Sequence, residues 1–369
     1  MDLANRYSNL DRLLHRISFA TLSVQIELAD LENLIYRRAL ATIPCREPVF
    51  ITALPRAGTT LLLQLISSLD RFASHTYRDM PFVLLPLMWQ SISGRFRQTS
   101  TPTERAHGDG MMVSVDSVEA FEEMLWKAKC PDQYLPDRIA PWPAAATDEI
   151  AAALTSHMKK IIYLRQRTPD VVPRYISKNN GNIARVGCLL KCLPDAVIVV
   201  PIREPIQHAA SLAHQHRHFL EIHARDRFAC EYMRGIGHFD FGANLRPIDF
   251  GGWLASAHHT DQRTVGFWLE YWVAAYSHVL SHGGAVRVLP FDELCSRPDD
   301  ALRSLAEVLN LDADNAELLL AQQLEIRDAS SREVDLTGVR PSILKQAQDL
   351  YQSILSRSDF ASLRTRIGA

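Results

Sequence analysis

The sequence predicts an α/β protein with a central parallel sheet held between helices in a three-layer core. Helices are added at the N-terminus, and helical or looped insertions interrupt the core. Short, largely apolar runs rich in β-branched residues recur at 49–54, 174–177, 196–201 and 285–290. Stretches of helical period follow them, and this alternation is the signature of parallel strands joined by crossover helices. The run AVIVVP at 196–201 is nearly all apolar, as expected of a strand covered on both faces.

Along the chain, residues 10–40 place apolar side chains at helical spacing, which predicts one or two amphipathic helices packed on the main domain. Pro44 and Pro48 close that segment. The first strand is expected over 49–54 and a helix over 59–69. Between 72 and 145 the pattern is irregular. It holds SHTYRDMPFVLLPLMW, a Thr/Ser/Pro stretch at 98–102, HGDGM at 107–111, a helix expected over 117–127 and the proline-rich CPDQYLPDRIAPWP. Further helices are expected over 147–167, 181–193, 204–227, 265–282 and 298–309. A loop is expected at 235–252, and another at 332–341 before a terminal helix. The expected division is an N-terminal helical extension (1–47), an α/β domain (48–320) with insertions near 74–145 and 215–260, and a C-terminal loop and helix (321–369).

The chain's 369 residues are 47% hydrophobic and 22% charged, enough to bury a sizeable core. A formal charge of −2 gives no global attraction to nucleic acid or anionic membrane, so any anion site must be local. The six cysteines form no CxxC pair and read as reduced thiols rather than metal ligands. The charged N-terminus has no signal-peptide core, and no stretch of about 18 apolar residues predicts a membrane span. A cytoplasmic protein is the expectation.

The stretch Ala53-Leu54-Pro55-Arg56-Ala57-Gly58-Thr59-Thr60 stands between a strand and a helix. Against the phosphate loop G-x4-G-K-[ST], Gly58 and Thr60 match, Ala53 replaces the first glycine and Thr59 the lysine. The cation sits inside the loop instead, at Arg56. Anion binding survives: glycine permits close backbone approach, and the following helix presents free N–H groups and the positive end of its dipole. Arg56 adds charge-assisted hydrogen bonds. The lysine for a terminal phosphate is missing, and Ile202-Arg203-Glu204-Pro205 offers no clear metal-binding aspartate after the third strand. Magnesium-dependent triphosphate chemistry is therefore disfavoured.

A second constellation places Arg203 at the end of a buried strand, where open α/β sheets bind ligands, and Ser211 about two turns into the next helix. Together they suit one phosphate. Alone, the pattern equally fits a salt bridge for Arg203 and a surface position for Ser211.

The two motifs in combination resemble the sulfotransferase family that uses 3′-phosphoadenosine 5′-phosphosulfate (PAPS). The similarity spans roughly 48–311, including RYISKNNGNIARVGCLLKCLPDAVIVVPIREP and VRVLPFDELCSRPDDALRSLAEVLNL. It implies a P-loop-NTPase-like core. By that likeness Arg56, Ala57, Gly58, Thr59 and Thr60 grip the 5′-phosphosulfate, and Arg203 and Ser211 hold the 3′-phosphate. The donor is then PAPS, the product adenosine 3′,5′-bisphosphate (PAP), and no metal is expected.

Sulfuryl transfer needs alignment and neutralisation of the leaving phosphate, roles assigned to Arg56 and Lys178. A hydroxyl acceptor also needs a base. Members acting on phenols and steroids carry Lys-x-His where this chain has Lys178-Asn179-Asn180, and Asn180 is no base. Members acting on carbohydrates or protein tyrosines use a carboxylate after the loop's helix, a place occupied here by Asp79. Asp79 also fits a salt bridge or a local cap. His214, in a helix crowded with histidines, is the reserve base. His214 and His218 at i, i+4 also have the spacing of a metal pair, though a surface or lid helix fits better. Trp89, Trp142, Phe239, Phe241 and Trp253 suit either an acceptor pocket or the core. The acceptor (a hydroxyl or amine of a carbohydrate, lipid or small metabolite) and the oligomeric state stay open. The rival readings are a nucleotide kinase or triphosphatase on the same fold, and a non-catalytic binder of PAP or PAPS.

Overall fold

The structure is a computed structural model that describes residues 8–93, 103–104, 112–113, 117–119, 121–143, 148–325 and 333–357. The 98–102 and 107–111 motifs fall outside the described residues.

Five strands form one all-parallel sheet: β1 (Val49–Ile51), β2 (Phe72–Ala73), β3 (Arg174–Lys178), β4 (Val197–Ile202) and β5 (Arg287–Pro290), in the order β2-β3-β1-β4-β5. β1 lies between β3 and β4, with Val49 opposite Ile176 on one side and Val197 on the other. A separate antiparallel pair joins Thr103–Glu104 to Met112–Val113.

Alternation along these strands separates two cores. Val49, Ile51, Ile176, Val199 and Leu289 face one side, against α3 (Thr59–Ser67) and α8 (Pro298–Val308). Phe50, Tyr175, Ile198, Val200 and Val288 face the other. There they meet α4 (Asp148–Arg165), α5 (Val186–Cys192), α6 (Pro205–Arg225), α7 (Val265–Ser281) and α9 (Pro341–Arg357). This is the helix–sheet–helix sandwich that the alternating pattern predicts.

Differences from expectation have local causes. β1 stops at Ile51 rather than Leu54, because only Thr52 continues the ladder, donating its N–H to the Val199 carbonyl at 3.0 Å. Ala53 and Leu54 are apolar because they are buried in a loop. β2 gave no sequence signal, being two residues long at the sheet's edge. The helix expected over 181–193 is a 3-10 turn (Asn180–Ala184) followed by α5, broken at Arg185. The helix expected over 117–127 starts later, at Glu123–Lys129.

The N-terminal segment forms α1 (Asn9–Ala20) and α2 (Leu22–Ile35), separated only by Thr21. Ser8 and Asp11 form a capping box at its start. The inner face is mixed: Phe19, Leu22 and Ile26 pack on the core, but the fully buried positions are His15, Ser18, Gln25 and Glu32. Glu32 pairs with buried Lys160 at 2.8 Å and accepts the Met88 N–H at 2.6 Å. Polar anchors dominate a packing that the sequence predicts to be apolar.

Candidate active site

The loop after β1 passes the C-terminal edge of the sheet, where parallel α/β proteins bind ligands. Arg56 and Gly58 take left-handed backbone conformations, with φ of 70° and 87°. For a non-glycine residue that is a strained position. Gly58 is required twice: by its φ, and because a Cβ there would lie 2.3 Å from the Phe291 ring. α3 begins at Thr59 with Gly58 as its N-cap and no side chain capping it, so its first N–H groups face the loop. Buried His208 hydrogen-bonds the Pro55 carbonyl through Nε2 at 2.7 Å. Burial and the charges of Arg203 and Arg56 depress its pKa to about 3, against the pull of the Pro55 carbonyl. The imidazole is therefore neutral, and Nε2–H donates.

The two phosphate-type motifs meet. Arg56 Nε donates to Ser211 Oγ at 3.5 Å, joining the loop to α6. Arg203, just past the end of β4, holds its guanidinium 6.0 Å from the centre of the Phe291 ring, the same ring that supports Gly58. Glu204 caps α6 by accepting the Gln207 N–H at 2.7 Å, and its own N–H goes to Asp292 at 3.1 Å. That contact ties the Arg203 turn to the residue after Phe291. Phe291 went unnoticed in the sequence, since nothing local marks an aromatic residue that supports a loop more than 200 positions away.

Lys178 ends β3 opposite Ile51, at the same edge as the loop. The turn after it is fixed by side chains. Asn179 donates to Glu123 at 2.8 Å and Asn180 to Asp240 at 3.1 Å. Beneath that turn lies a buried network. Arg185 makes two 2.7 Å bonds to Glu123 between the Trp126 and Trp142 rings, while Glu122 accepts from Trp126, Tyr175 and Asn182. Asp240 also lies 3.7 Å from His238 Nε2. Burial and the charge of Lys178 hold this imidazole below its ordinary value, against the pull of Asp240. Sequence reading singled out neither His238 nor Asp240. The available signal was a His-Phe-Asp run inside a segment otherwise read as loop.

Asp79 lies in a short turn (Tyr77–Asp79) that follows β2. It is 2% exposed. It accepts the Thr76 N–H at 3.0 Å, Arg165 Nη2 at 2.6 Å on both oxygens, and His75 Nδ1 at 3.2 Å. His157 stacks on His75, with their Nε2 atoms 3.0 Å apart. Burial alone would raise the carboxyl's pKa, but bonds and charges from His75 and Arg165 outweigh it and hold it at about 2. A carboxylate so stabilised has little affinity for a hydroxyl proton, which weighs against the expected role of Asp79 as the base. The salt-bridge-and-cap alternative describes Asp79 better, although its partner is Arg165 rather than Arg78. His214 lies exposed on α6. Trp89, Trp142, Phe239, Phe241 and Trp253 are all buried in the core. Among the described residues, no group of three or more His, Cys, Asp or Glu converges as metal ligands do, and no helix is long and apolar enough to cross a membrane.

A helix start behind a glycine that nothing larger can replace, with two arginines and a serine near it, is the arrangement expected of an anion site in an α/β enzyme. Residues 48–235, just over half of the chain, match the model of the Sulfotransferase family, and the chain belongs to that family. Similar solved structures include sulfotransferase STF1 from Mycobacterium tuberculosis H37Rv (14% identity, 88% of this chain and 81% of that one, TM-score 0.48). Sulfotransferase STF9 from Mycobacterium avium is another (14%, 88% and 80%, TM-score 0.45). A third is a sulfotransferase from Alicyclobacillus acidocaldarius (14%, 87% and 97%, TM-score 0.35). No curated protein matches the chain.

Proposed function

We propose that this sulfotransferase uses PAPS as donor and transfers its sulfuryl group to a hydroxyl or amine of a small acceptor. The observation that carries this reading is the Arg56–Ser211 contact at 3.5 Å, which joins the phosphosulfate loop to the 3′-phosphate pair. The N–H groups at the start of α3, with Thr59 and Thr60, hold the 5′-phosphosulfate. Arg203 and Ser211 hold the 3′-phosphate. As the acceptor oxygen bonds to sulfur and the bond from sulfur to the phosphate oxygen breaks, Arg56 and Lys178 neutralise the charge gathering on the leaving phosphate.

The acceptor's proton goes to His238. Its imidazole is neutral at pH 7, lies near Lys178 and has Asp240 3.7 Å away to stabilise the imidazolium that forms. Asp79 holds the segment after β2 in place.

Calorimetry with PAP tests the donor assignment. The wild type binds PAP, and changing Arg203 and Ser211 together to alanine abolishes binding. A wild type without PAP affinity, or magnesium-dependent ATP turnover in its place, refutes it. Labelled PAPS offered to a panel of alcohols, phenols and amines tests the base. His238→Gln keeps PAP affinity and slows transfer by about a hundredfold or more, whereas undiminished transfer puts the base elsewhere.

A further inference from the structure

The helices α1 and α2 carry a feature that the site does not use. Counting along α1 and α2, Leu10, Ile17, Val24 and Leu31 recur every seven residues, and Leu13, Ala20, Glu27 and Leu34 follow each of them by three. That is the a/d repeat of a coiled coil over four heptads. All eight positions are exposed. The six large apolar ones, with neighbouring Ile35, are between 44% and 60% exposed. The repeat therefore points away from the domain, which the opposite face meets with buried His15, Ser18, Gln25 and Glu32. Ser18 Oγ bonds the Pro81 carbonyl, Gln25 Nε2 donates to the Ser18 carbonyl at 2.7 Å, and Glu32 pairs with Lys160.

We propose that α1 and α2 form a dimerisation seam, and that a second copy of this chain covers it in an antiparallel two-stranded coiled coil. Three observations select that occupant. The first is area. The seven apolar residues leave roughly 100 Å² each, on the order of 700 Å² in all. That exceeds the few hundred Å² a monomer ordinarily exposes and approaches the ~800 Å² each partner buries in a stable interface. The second is charge. Between residues 9 and 35, Asp11, Glu27, Asp30 and Glu32 outnumber Arg12 and Arg16, whereas a helix lying on anionic lipid carries an excess of cations.

The third is register. With the two-fold axis near residue 22, every a position meets a d position. Leu10 meets the partner's Leu34, Leu13 the partner's Leu31 and Ala20 the partner's Val24. Glu27, the one charged member of the repeat, falls beside Ile17 and Arg16 of the other copy. A parallel pair would instead set two Glu27 carboxylates against each other.

Sedimentation equilibrium of the full chain in the tens-of-micromolar range tests the seam. The wild type sediments as a dimer. Ile17→Glu with Leu34→Glu yields a monomer with unchanged thermal unfolding. Glu27→Leu, which puts an apolar residue at an outward position, tightens the dimer at least tenfold. Wild-type protein that stays monomeric overturns the proposal, as does a double variant that remains dimeric. If the double variant fails to fold, Glu27→Leu decides alone, and unchanged or weaker association overturns the seam. Binding of monomer to phosphatidylglycerol vesicles through this face would assign it to lipid and overturn the proposal as well.

Discussion

Around Arg56, the groups proposed to face the donor come from main chain and from residues close in sequence: the loop, the start of α3, and the Arg203–Ser211 turn and helix. Around Asp79 and Lys178, polar groups come from side chains scattered over the chain: His75, Glu123, His157, Arg165, His238 and Asp240. Both regions lie at the C-terminal edge of the sheet, since each follows the end of a strand. They differ in what is satisfied. The carboxylate of Asp79 is saturated by ion pairs and hydrogen bonds within the protein, whereas the α3 N-terminus has no side chain capping it. A helix N-terminus favours a ligand's anion through its N–H groups and its dipole. Saturated ionic groups, by contrast, hold a shape and have little chemistry left to give.

The contrast can be broken most severely at Arg185. It is fully buried, and replacing it with methionine strands Glu123 under the Lys178 turn. A loss of about 3–5 kcal/mol is expected in urea unfolding. A loss below 1 kcal/mol would mean that water or a shifted side chain already serves that carboxylate.

Gly58→Ala strikes the opposite region. The added methyl meets Phe291 at a positive φ, so the loop must move. PAP affinity is expected to fall about a hundredfold, or about 3 kcal/mol, with a smaller change in melting temperature. Equal affinity by calorimetry would show that the loop is not the anion site.

Asp79 gives a pH test with a definite sign. Its folded pKa of about 2 lies below the ordinary 3.8. The group therefore contributes stability that is fully present above about pH 4 and lost as pH falls through 2. The contribution is about 2 kcal/mol. Urea unfolding at pH 5 and pH 2.5 should show Asp79→Asn less stable than wild type at both, with the gap cut to about a third at the lower pH. A constant difference would refute the ion-pair account. The smallest effect is expected at His208. Phenylalanine there leaves the buried Pro55 carbonyl without its donor, costing about 1–2 kcal/mol and weakening PAP binding severalfold.

Much of the fold was legible because strand and helix periods are local properties. Four of the five strands show as apolar runs, and β2 does not because two residues carry no period. The turn at Gly58 was legible for the same reason, since Gly58 and the helix behind it are neighbours in the chain. Arg203 and Ser211 were found by strand end and helical spacing. The carboxylate of Asp79 is visible in the sequence, whereas Arg165 and His75, which hold it ionised, become its partners only in the fold. The N-terminal helices were expected to bury an apolar face. Their periodicity was real, but periodicity does not say which face meets the domain.

The sequence by itself determined that this chain forms a parallel α/β sandwich with a glycine turn leading from its first strand into a helix. Hydrophobic period, glycine and helix dipole act within a few residues of one another. Only the tertiary structure decided that Phe291 closes beneath that loop, that Arg185 and Glu123 lock the Lys178 turn, that Asp79 is spent on an ion pair, and that His238 and Asp240 come to the same edge. Those outcomes depend on burial and on charges brought together from distant segments, which no local pattern encodes.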